Sequence, residues 1–254
     1  MNREQQLRHA FFAFRHCSNW PEITKELLNG RSPSYIKMRN GILLYSQQNP
    51  LPIIDEIFFK RVYTTEISLP QTGVVVDIGA NIGVFTLYAR SLTHANIIAV
   101  EPLLSNYNLL CRNIEANNLS NVLPICSAVS NTSGIVKLYI TEADTGNLLF
   151  DHSIGGKIKK YVEVPCTTLQ NIMNEHNLAS IDFLKLDCEG SEGNILSSMS
   201  EEYLLRIREI TIEFHDHVSI LKHEAICELL QKIGFKIRLK HDGVSPFGYV
   251  YAWQ

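Results

Sequence analysis

The chain has 254 residues, of which 45% are hydrophobic and 19% are charged. This length suits one large domain, or one domain with an appendage, because a domain commonly holds ~150 residues. The composition excludes a disordered or collagen-like chain, and the net charge of −3 gives no general electrostatic footprint for nucleic acid, although an isolated basic groove stays possible.

The first 70 residues predict a helix followed by a β-hairpin. Leu7, Phe11 and Phe14 recur at helical spacing and form one apolar face. We expect this face to dock on the main domain, although such a face could instead contact a membrane or a partner. Asn40-Gly41 lies between two alternating runs in SYIKMRNGILLYS, which is a strong hairpin signal. We therefore assign residues 1–70 to an N-terminal helix and hairpin extension, and residues 71–254 to the main domain.

The cellular compartment is predicted from features that the sequence lacks. The N-terminal region shows no charged stretch followed by an apolar one, so we expect no signal peptide. No apolar run approaches the ~20 residues of a membrane span, so we expect no transmembrane segment. The six cysteines include no CxxC pair and are expected to be reduced, mostly buried thiols. Together these features predict a soluble, cytoplasmic protein.

From about Val74 onward, short β-branched runs alternate with segments of helical period. This alternation is typical of βαβ units in an α/β fold with a mostly parallel sheet. The strands predicted to be buried on both faces are residues 74–77, 96–101, 121–126, 181–187, 209–215 and 235–240. A seventh strand, GYVYAW, follows Gly243 and Pro246 and could return antiparallel.

One region departs from this alternation. Residues 134–143 and 159–166 alternate apolar and polar side chains, which predicts an antiparallel pair. Thr167 is expected to open the next helix, with Gln170 completing a capping-box pattern. The intervening loop, residues 144–158, is polar and contains glycine, and loops of that length are usually functional or disordered.

The junction of the first main-domain strand and its helix predicts a ligand site. Asp77, Gly79 and Gly83 lie there, where an open α/β sheet binds its ligand and where glycines let the backbone approach it. Glu101 follows Gly79 by 22 residues, close to the ~20-residue offset at which an acid reaches ribose hydroxyls. A nucleoside is therefore the expected ligand.

A missing glycine narrows the choice among nucleoside ligands. Asn81 stands where a G-x-G-x-x-G fingerprint has the glycine that admits a pyrophosphate, and the carboxylate of Asp77 would repel one. S-adenosylmethionine, which has a cationic end and no phosphate, fits this pattern. The alternatives are a tight turn without a ligand and an NAD-dependent oxidoreductase, which would share the fold and Glu101.

Acidic residues and a histidine follow two predicted neighbouring strands. Asp187 and Glu189 end one strand, and Glu213 and His215 repeat that spacing on the next, so we expect them to meet above the sheet. His215 or Asp187 could act as the general base that an alcohol nucleophile needs, and we favour His215. Alternatively, His215 is structural or pairs with Asp187. Lys185 is expected to be a charge partner of the acids.

The same cluster could hold a metal ion. Mg²⁺ binds through oxygen ligands and keeps several waters. The candidate ligands are Asp187, Glu189, Glu213 and His215. His217 is expected to lie on the surface or in a substrate loop.

Four segments together resemble a known family over roughly residues 35–215. They are VVVDIGANIGVFTLYAR, VEPLLSNYNLLCRNIEANN, TTLQNI and IDFLKLDCEGSEGNIL. They resemble the FkbM-type S-adenosylmethionine-dependent methyltransferases. The resemblance implies a Rossmann-like class I methyltransferase fold and O-methylation, often of sugar or polyketide hydroxyls. The residues that it implies for cofactor binding are Asp77, Gly79, Ala80, Asn81, Gly83, Glu101, Ser127 and Ala128.

The sequence therefore predicts an S-adenosylmethionine-dependent O-methyltransferase. Its acceptor would be a hydroxyl of a sugar, a glycan or a small-molecule natural product, with Asp187, Glu189 and His215 as catalytic residues. We expect the acceptor site to form from the 144–158 loop, the residues after Glu189, and residues 215–218. Alternatives are a non-catalytic or regulatory protein on this fold and, without a basic aromatic groove to favour it, nucleic-acid methylation.

Overall fold

The structure, a computed structural model, describes residues 2–141, 147–148 and 158–254. Its first part contains the predicted helix and hairpin, together with further short helices. The elements in chain order are α1 (Arg3–His16), α2 (Trp20–Leu28), β1 (Tyr35–Lys37), β2 (Leu43–Tyr45), α3 (Leu51–Ile54) and a π-helical turn (Asp55–Phe59). The strands β1 and β2 pair antiparallel around the predicted Asn40-Gly41 turn, where Gly41 has a φ of 93°.

The main domain alternates strands and helices as predicted. Its first half contains β3 (Val74–Ile78), α4 (Val84–Leu92), β4 (Asn96–Val100), α5 (Leu104–Ala116), β5 (Val122–Ile125), β6 (Ala128–Val129), β7 (Gly134–Thr141), β8 (Asn147–Leu148) and β9 (Ile158–Thr167). Its second half contains α6 (Leu169–Glu175), β10 (Ile181–Leu186), α7 (Glu192–Ser198), α8 (Glu201–Leu204), β11 (Ile207–His215), α9 (His223–Lys232), β12 (Lys236–Lys240) and β13 (Phe247–Trp253).

The central sheet has seven strands in the order β12-β13-β11-β10-β3-β4-β5. The strands β11, β10, β3, β4 and β5 are parallel, and β13 runs antiparallel to both of its neighbours. The predicted α/β class and the reversed final strand are therefore confirmed. The parallel arrangement brings the carboxyl ends of β3, β4, β10 and β11 to one edge of the sheet, which is where a Rossmann-like fold binds its ligand.

The burial predicted for residues 121–126 and 235–240 is wrong, because β5 and β12 are the two edge strands of the central sheet, and none of the residues of β5 is buried. The strand β12 lies at the edge of the sheet, and four of its five residues are exposed. The cause is the position of β13, which lies between β11 and β12, so that β12 has one neighbouring strand instead of two. An edge strand needs only one apolar side, and the alternation of Lys and Arg with Ile and Leu in β12 agrees with that.

The antiparallel excursion forms a separate four-stranded sheet in the order β6-β9-β7-β8. The predicted pairing of β7 with β9 is confirmed. The helix start at Thr167 is wrong by one residue, because Thr167 is still part of β9 and the side chain of Thr168 accepts the hydrogen bond from the backbone N–H of Asn171 at 3.1 Å. The loop predicted at residues 144–158 lies outside the described residues, apart from β8 and the first residue of β9.

One hydrophobic core joins the N-terminal extension to the sheet. Ile23, Leu44 and Leu51 of the extension belong to the same buried cluster as Phe183 and Tyr251 of the sheet. The domain boundary between residues 70 and 71 stays a prediction. The buried cluster contains side chains from both sides of that boundary. In consequence, the extension is held against the part of the sheet that carries the candidate site.

The apolar stripe of α1 does not dock on the main domain, contrary to our expectation. Leu7, Phe11 and Phe14 remain 58%, 62% and 50% exposed. The other side of the helix makes the contacts, with Ala13 fully buried and the ring of Phe12 edge-to-face with Phe59 at 5.3 Å. Helix α1 therefore has two apolar sides, and the sequence spacing singled out the outer one.

All six cysteines are free thiols. Cys17 and Cys166 are buried, whereas the other four are half-buried, so the prediction that most of the cysteines are buried is wrong. Within the described ranges, no helix combines the length and the apolar character that a membrane crossing requires.

Candidate active site

The turn after β3 is built by residues with left-handed backbone conformations. Gly79, Asn81 and Gly83 have φ values of 79°, 52° and 89°. A Cβ atom on Gly79 would lie 1.7 Å from the backbone oxygen of Asp187, so only glycine fits there. This close approach places the turn directly against the residues that follow β10.

A buried ion pair supports the turn from below. The Nζ atom of Lys185 lies 3.1 Å from Oδ1 of Asp77 and donates a hydrogen bond to the backbone oxygen of Gly79 at 2.9 Å. The hydroxyl of Thr86 donates to Oδ2 of Asp77 at 2.7 Å. Burial alone would lower the pKa of Lys185, but the carboxylates of Asp77 and Asp187 outweigh it and raise this pKa above its ordinary value. Lys185 is thus the charge partner that the sequence predicted.

Glu101 follows β4 and reaches the same turn. Its carboxylate accepts hydrogen bonds from the backbone N–H groups of Asn81 at 2.9 Å and Leu103 at 3.0 Å. Burial raises the pKa of Glu101 to about 7, although these two donors oppose the rise. Each carboxylate oxygen keeps a lone pair, so both can still accept a hydrogen bond from a ligand hydroxyl.

The other residues predicted to bind the cofactor lie either in this turn or directly after β5. The backbone N–H groups of Gly79 and Ala80 both donate to the backbone oxygen of Val100 at 3.0 Å, which ties the turn to β4. Ser127 and Ala128 are buried where the second sheet begins. Their contact with adenine stays a prediction.

The predicted acid and histidine cluster forms at the carboxyl ends of β10 and β11. The Nε2 atom of His215 lies 3.5 Å from Oε2 of Glu189 and 4.0 Å from Oε1 of Glu213. Asp187 lies beside them, with Oδ2 3.5 Å from the Nζ atom of Lys185. These side chains therefore meet as predicted. The predicted reason is wrong for Glu189, because β10 ends at Leu186 and Glu189 has a left-handed backbone with a φ of 52°, so strand alternation does not place it.

The charges of this cluster depend on burial and on each other. Burial would lower the pKa of His215, but the carboxylates of Glu192, Glu189 and Asp187 raise it to about 10. Burial raises the pKa of Glu189 to about 7 and that of Glu213 to about 8. At neutral pH His215 is therefore an imidazolium, which has no free lone pair to accept a proton.

Two residues of the site were not among the predicted site residues. Glu192, the first residue of α7, accepts hydrogen bonds from the backbone N–H groups of Cys188 and Gly190 at 3.0 Å and lies 3.2 Å from Nδ1 of His215. Tyr63 enters from the extension, and its hydroxyl lies close to Asp187 and Glu213. Glu192 could have been noticed as an acid in the first turn of a helix beside the cluster.

The cluster does not fit Mg²⁺. One ligand atom each from Asp187, Glu189 and His215 lie within 4.8 Å of one another, so a metal ion is geometrically conceivable. However, the cations of Lys185 and protonated His215 already face these carboxylates, and Mg²⁺ prefers oxygen ligands over an imidazole nitrogen. The predicted magnesium site gains no support, and no chemical step below uses one. His217 is exposed, as predicted.

This sheet, with its reversed strand, its glycine turn after β3 and its acid after β4, defines a Rossmann-like class I methyltransferase. The comparison with known families agrees. The profile described as "Methyltransferase FkbM domain" matches residues 77–237. The chain therefore belongs to the FkbM methyltransferase family, which the sequence segments had suggested.

Two relatives and one solved structure illustrate the likeness. The chain is 30% identical over 216 residues to "Methyltransferase sdnD" of Sordaria araneosa, covering 73% of this chain and 82% of that protein. It is 25% identical over 249 residues to "31-O-demethyl-FK506 methyltransferase FkbM" of Streptomyces tacrolimicus, covering 86% and 91%. A crystal structure of the METTL16 methyltransferase domain, 14% identical, matches with a TM-score of 0.50 over 97% of this chain and 91% of that one, which shows the fold.

Proposed function

We propose that this protein is an S-adenosylmethionine-dependent O-methyltransferase whose acceptor is a hydroxyl of a sugar, a glycan or a small-molecule natural product. The observation that carries the proposal is the position of Glu189, a carboxylate with a pKa near neutrality at the sheet edge beside the glycine turn. An alcohol is a weak nucleophile while protonated, so its methylation needs a nearby proton acceptor. The name of the Streptomyces relative, which describes a 31-O-demethyl substrate, agrees with an oxygen acceptor.

The residues of the turn fit the cofactor. Bound S-adenosylmethionine would supply a methyl group on a cationic sulfur. We assign its methionine end to the turn from Gly79 to Gly83, which follows β3 at the sheet edge where this fold binds its ligand. Glu101 would bind the ribose hydroxyls with its two oxygens, and Ser127 and Ala128 would lie near adenine. Asp77, fully buried, would act by holding Lys185 and Thr86 below the turn.

We assign proton acceptance to Glu189. The sequence favoured His215, but a side chain that is already protonated at neutral pH cannot take up a proton. A carboxylate with a pKa of about 7 is ionised in a useful fraction of molecules and still basic enough to assist. The imidazolium of His215, 3.5 Å from Glu189, stabilises the ionised form of that carboxylate. Asp187 is the second carboxylate available to an acceptor hydroxyl.

The acceptor class is inferred from charge. The acceptor side of the site carries the carboxyl groups of Asp187 and Glu189, which disfavours a phosphate or a nucleic-acid backbone and favours a neutral hydroxyl compound. We place the acceptor between the residues after Glu189 and residues 215–218. The 144–158 loop, which we also assign to the acceptor site, lies outside the described residues apart from residues 147, 148 and 158.

The cofactor is tested by calorimetric titration with S-adenosylhomocysteine and, separately, with NADH. We expect micromolar binding of S-adenosylhomocysteine and none of NADH. Glu101→Ala should weaken this binding at least tenfold, whereas Glu115→Ala, an exposed acid on α5, should leave it unchanged. A folded protein that binds neither ligand would support the non-catalytic alternative, and tight NADH binding would support an oxidoreductase.

The reaction is tested by transfer of a labelled methyl group from S-adenosylmethionine to a panel of sugars, glycans and hydroxylated natural products. We expect label in at least one hydroxyl compound. Label found only in amines, thiols or RNA would overturn the assignment to oxygen.

A further inference from the structure

Three oxygen atoms meet where β10 and β11 end. The phenolic oxygen of Tyr63 lies 2.8 Å from Oδ2 of Asp187 and 2.7 Å from Oε2 of Glu213. A phenol has one proton and can donate it to only one of these two carboxyl groups. Two oxygens without a proton between them repel at such a distance, so the second contact requires another proton. The geometry therefore places two protons among the three groups.

The position of the second proton follows from the neighbouring charges. Asp187 lies 3.5 Å from the ammonium group of Lys185, a close positive charge. The imidazolium of His215 lies farther from Glu213, with Nε2 4.0 Å from its other oxygen. Burial also raises the pKa of Glu213 to about 8. The nearby acids Asp187 and Glu56 act in the same direction, whereas His215 and the hydrogen bond with Tyr63 oppose the rise. The extra proton therefore belongs on Glu213.

Tyr63 itself is rigidly held. Its ring is edge-to-face with Phe85 at 5.4 Å and with Tyr249 at 5.8 Å between centroids. The hydroxyl of Thr211 donates to the backbone oxygen of Tyr63 at 2.8 Å, and Nζ of Lys185 lies 5.1 Å from the centroid of its ring. A side chain fixed at both ring and backbone keeps its hydroxyl in place without an entropic cost at the moment of use.

Asp187 is oriented by these contacts. Its Oδ2 atom faces Tyr63 and Lys185, whereas Oδ1 has no hydrogen-bond partner among the residues that the structure describes. Its side chain is 23% exposed. The free oxygen of Asp187 is therefore available at the sheet edge, in the same cluster as Glu189.

We propose that Tyr63 of the N-terminal extension is a positioning residue of the active site, and that it links a protonated Glu213 to Asp187 through a fixed chain of hydrogen bonds. Glu213 donates to Tyr63, and Tyr63 donates to Asp187. Neutral Glu213 removes one negative charge from the cluster, which leaves Asp187 and Glu189 as the two carboxylates facing the acceptor. This inference rests on the proposed function for its catalytic meaning, but the chain of protons can be measured without any acceptor.

The test is carbon NMR of protein labelled with ¹³C at the glutamate side-chain carboxyl groups. The resonance of Glu213 is identified by its loss in Glu213→Gln, and Glu201→Gln, an exposed acid on α8, serves as the matched control. We expect the Glu213 resonance at the position of a protonated carboxyl group at pH 6.5, and a change in that resonance in Tyr63→Phe. A resonance at the ionised position from pH 6 to 7.5 overturns the proposal, as does a resonance insensitive to Tyr63→Phe in a folded variant.

A second pair of variants separates positioning from mere support of the fold. Tyr251→Phe also removes a buried hydroxyl, which donates to the backbone oxygen of Val62 and not to a carboxyl group. Both variants should lose thermal stability, but only Tyr63→Phe should move the Glu213 resonance. Calorimetry with S-adenosylhomocysteine keeps the two proposals distinct. Wild-type protein that fails to bind it contradicts the proposed function, whereas Tyr63→Phe protein should bind it within about threefold of wild type.

Discussion

At the scale of single residues, the site works through opposite effects of burial and charge. Burial makes the ionised forms of Glu189 and Glu213 costly, whereas the same carboxyl groups make the protonated form of His215 favourable. The proposed base, Glu189, therefore lies 3.5 Å from the cationic side chain of His215. This pairing makes the pH dependence of the protein predictable.

The first prediction concerns methyl transfer. Glu189 must lose its proton to act as the base, so the rate should rise as pH increases through about 7. It should fall again as His215 loses its charge near pH 10. Glu189→Gln should lower kcat by about 100-fold, within the range for loss of a general base, and abolish the rise near pH 7. The measurement is a pH–rate profile with the acceptor found by the hydroxyl screen.

The control for this profile is Glu201→Gln, an exposed acid outside the site. It should retain wild-type rates at every pH. If Glu189→Gln kept both the rate and the rise near pH 7, Asp187 would become the base to test.

The second prediction concerns stability. Glu213 has a pKa of about 8 in the folded protein and an ordinary, lower value when unfolded. The unfolded chain therefore releases this proton first, so folding stability is full at low pH and declines as pH rises toward 8. Glu213→Gln removes that decline, and between pH 5 and 8.5 the wild type should lose roughly 1–3 kcal/mol more than the variant. Urea unfolding at a series of pH values measures the free energy of unfolding of both proteins. Equal losses of stability in the wild type and in Glu213→Gln would contradict the prediction.

The sequence predicted the residues that follow strands and missed those that arrive from a distance. Asp187 and His215 were predictable because parallel strands end at one edge of the sheet. Glu189 joins them through a left-handed turn after β10, which strand alternation does not predict. Tyr63 contacts residues 124 and 150 positions further along the chain, and no local pattern encodes such a contact. The charge of His215 was equally hidden, since it depends on Glu192 as well as on the predicted acids.

At the scale of elements, the turn after β3 depends on a close approach between two strands. Gly79 combines a left-handed backbone with a Cβ position only 1.7 Å from a backbone oxygen of the residue after β10. Backbone atoms cannot swing aside as a side chain can. The turn and the end of β10 therefore form one unit.

The third prediction separates the effect of the left-handed backbone at Gly79 from the effect of its close contact with a backbone oxygen. Gly79→Ala should lower the free energy of unfolding by about 3 kcal/mol or more, because it adds a backbone clash to the left-handed strain. Gly243→Ala is a matched control, since Gly243 has a φ of 78° but open space around its Cβ position. It should cost about 1 kcal/mol. Chemical denaturation compares the two, and equal losses would show that backbone strain alone accounts for the glycine.

Element type was predictable from periodicity, but element surroundings were not. The strand at residues 236–240 was identified correctly, yet its exposure depends on β13, which inserts beside it. The helix α1 was also identified, yet the burial of Ala13 instead of the Phe11 side reflects how α2 and the π-helical turn pack against it. Tertiary packing decides which apolar side of a helix is buried when two sides are available.

At the scale of the whole molecule, the extension and the sheet share one core. Buried residues on both sides of residue 70 contact one another, so neither part can lose its structure without exposing apolar surface of the other. The predicted division of the chain at residue 70 therefore describes a change in sequence pattern more than a boundary between parts that fold independently.

The fourth prediction follows from this shared core. The chain has two tryptophans, Trp20 in α2 and Trp253 in β13. Trp253→Phe leaves a fluorescence probe of the extension, and Trp20→Phe leaves one of the sheet. Both variants should unfold in urea at midpoints that coincide with their own circular-dichroism transitions, as a two-state unit requires. An extension probe that changes at lower urea than circular dichroism would show that residues 1–70 unfold separately.

The placement of β13 has a consequence for biosynthesis. The strands β11 and β12 leave the ribosome before the strand that lies between them, so during translation the nascent sheet presents open edges that only residues 247–253 can fill. Unpaired edges are sites of aggregation, and pairing over long sequence separation is slow. A chain truncated before residue 247 would therefore have its central sheet open, which makes it a natural target for chaperones and proteases.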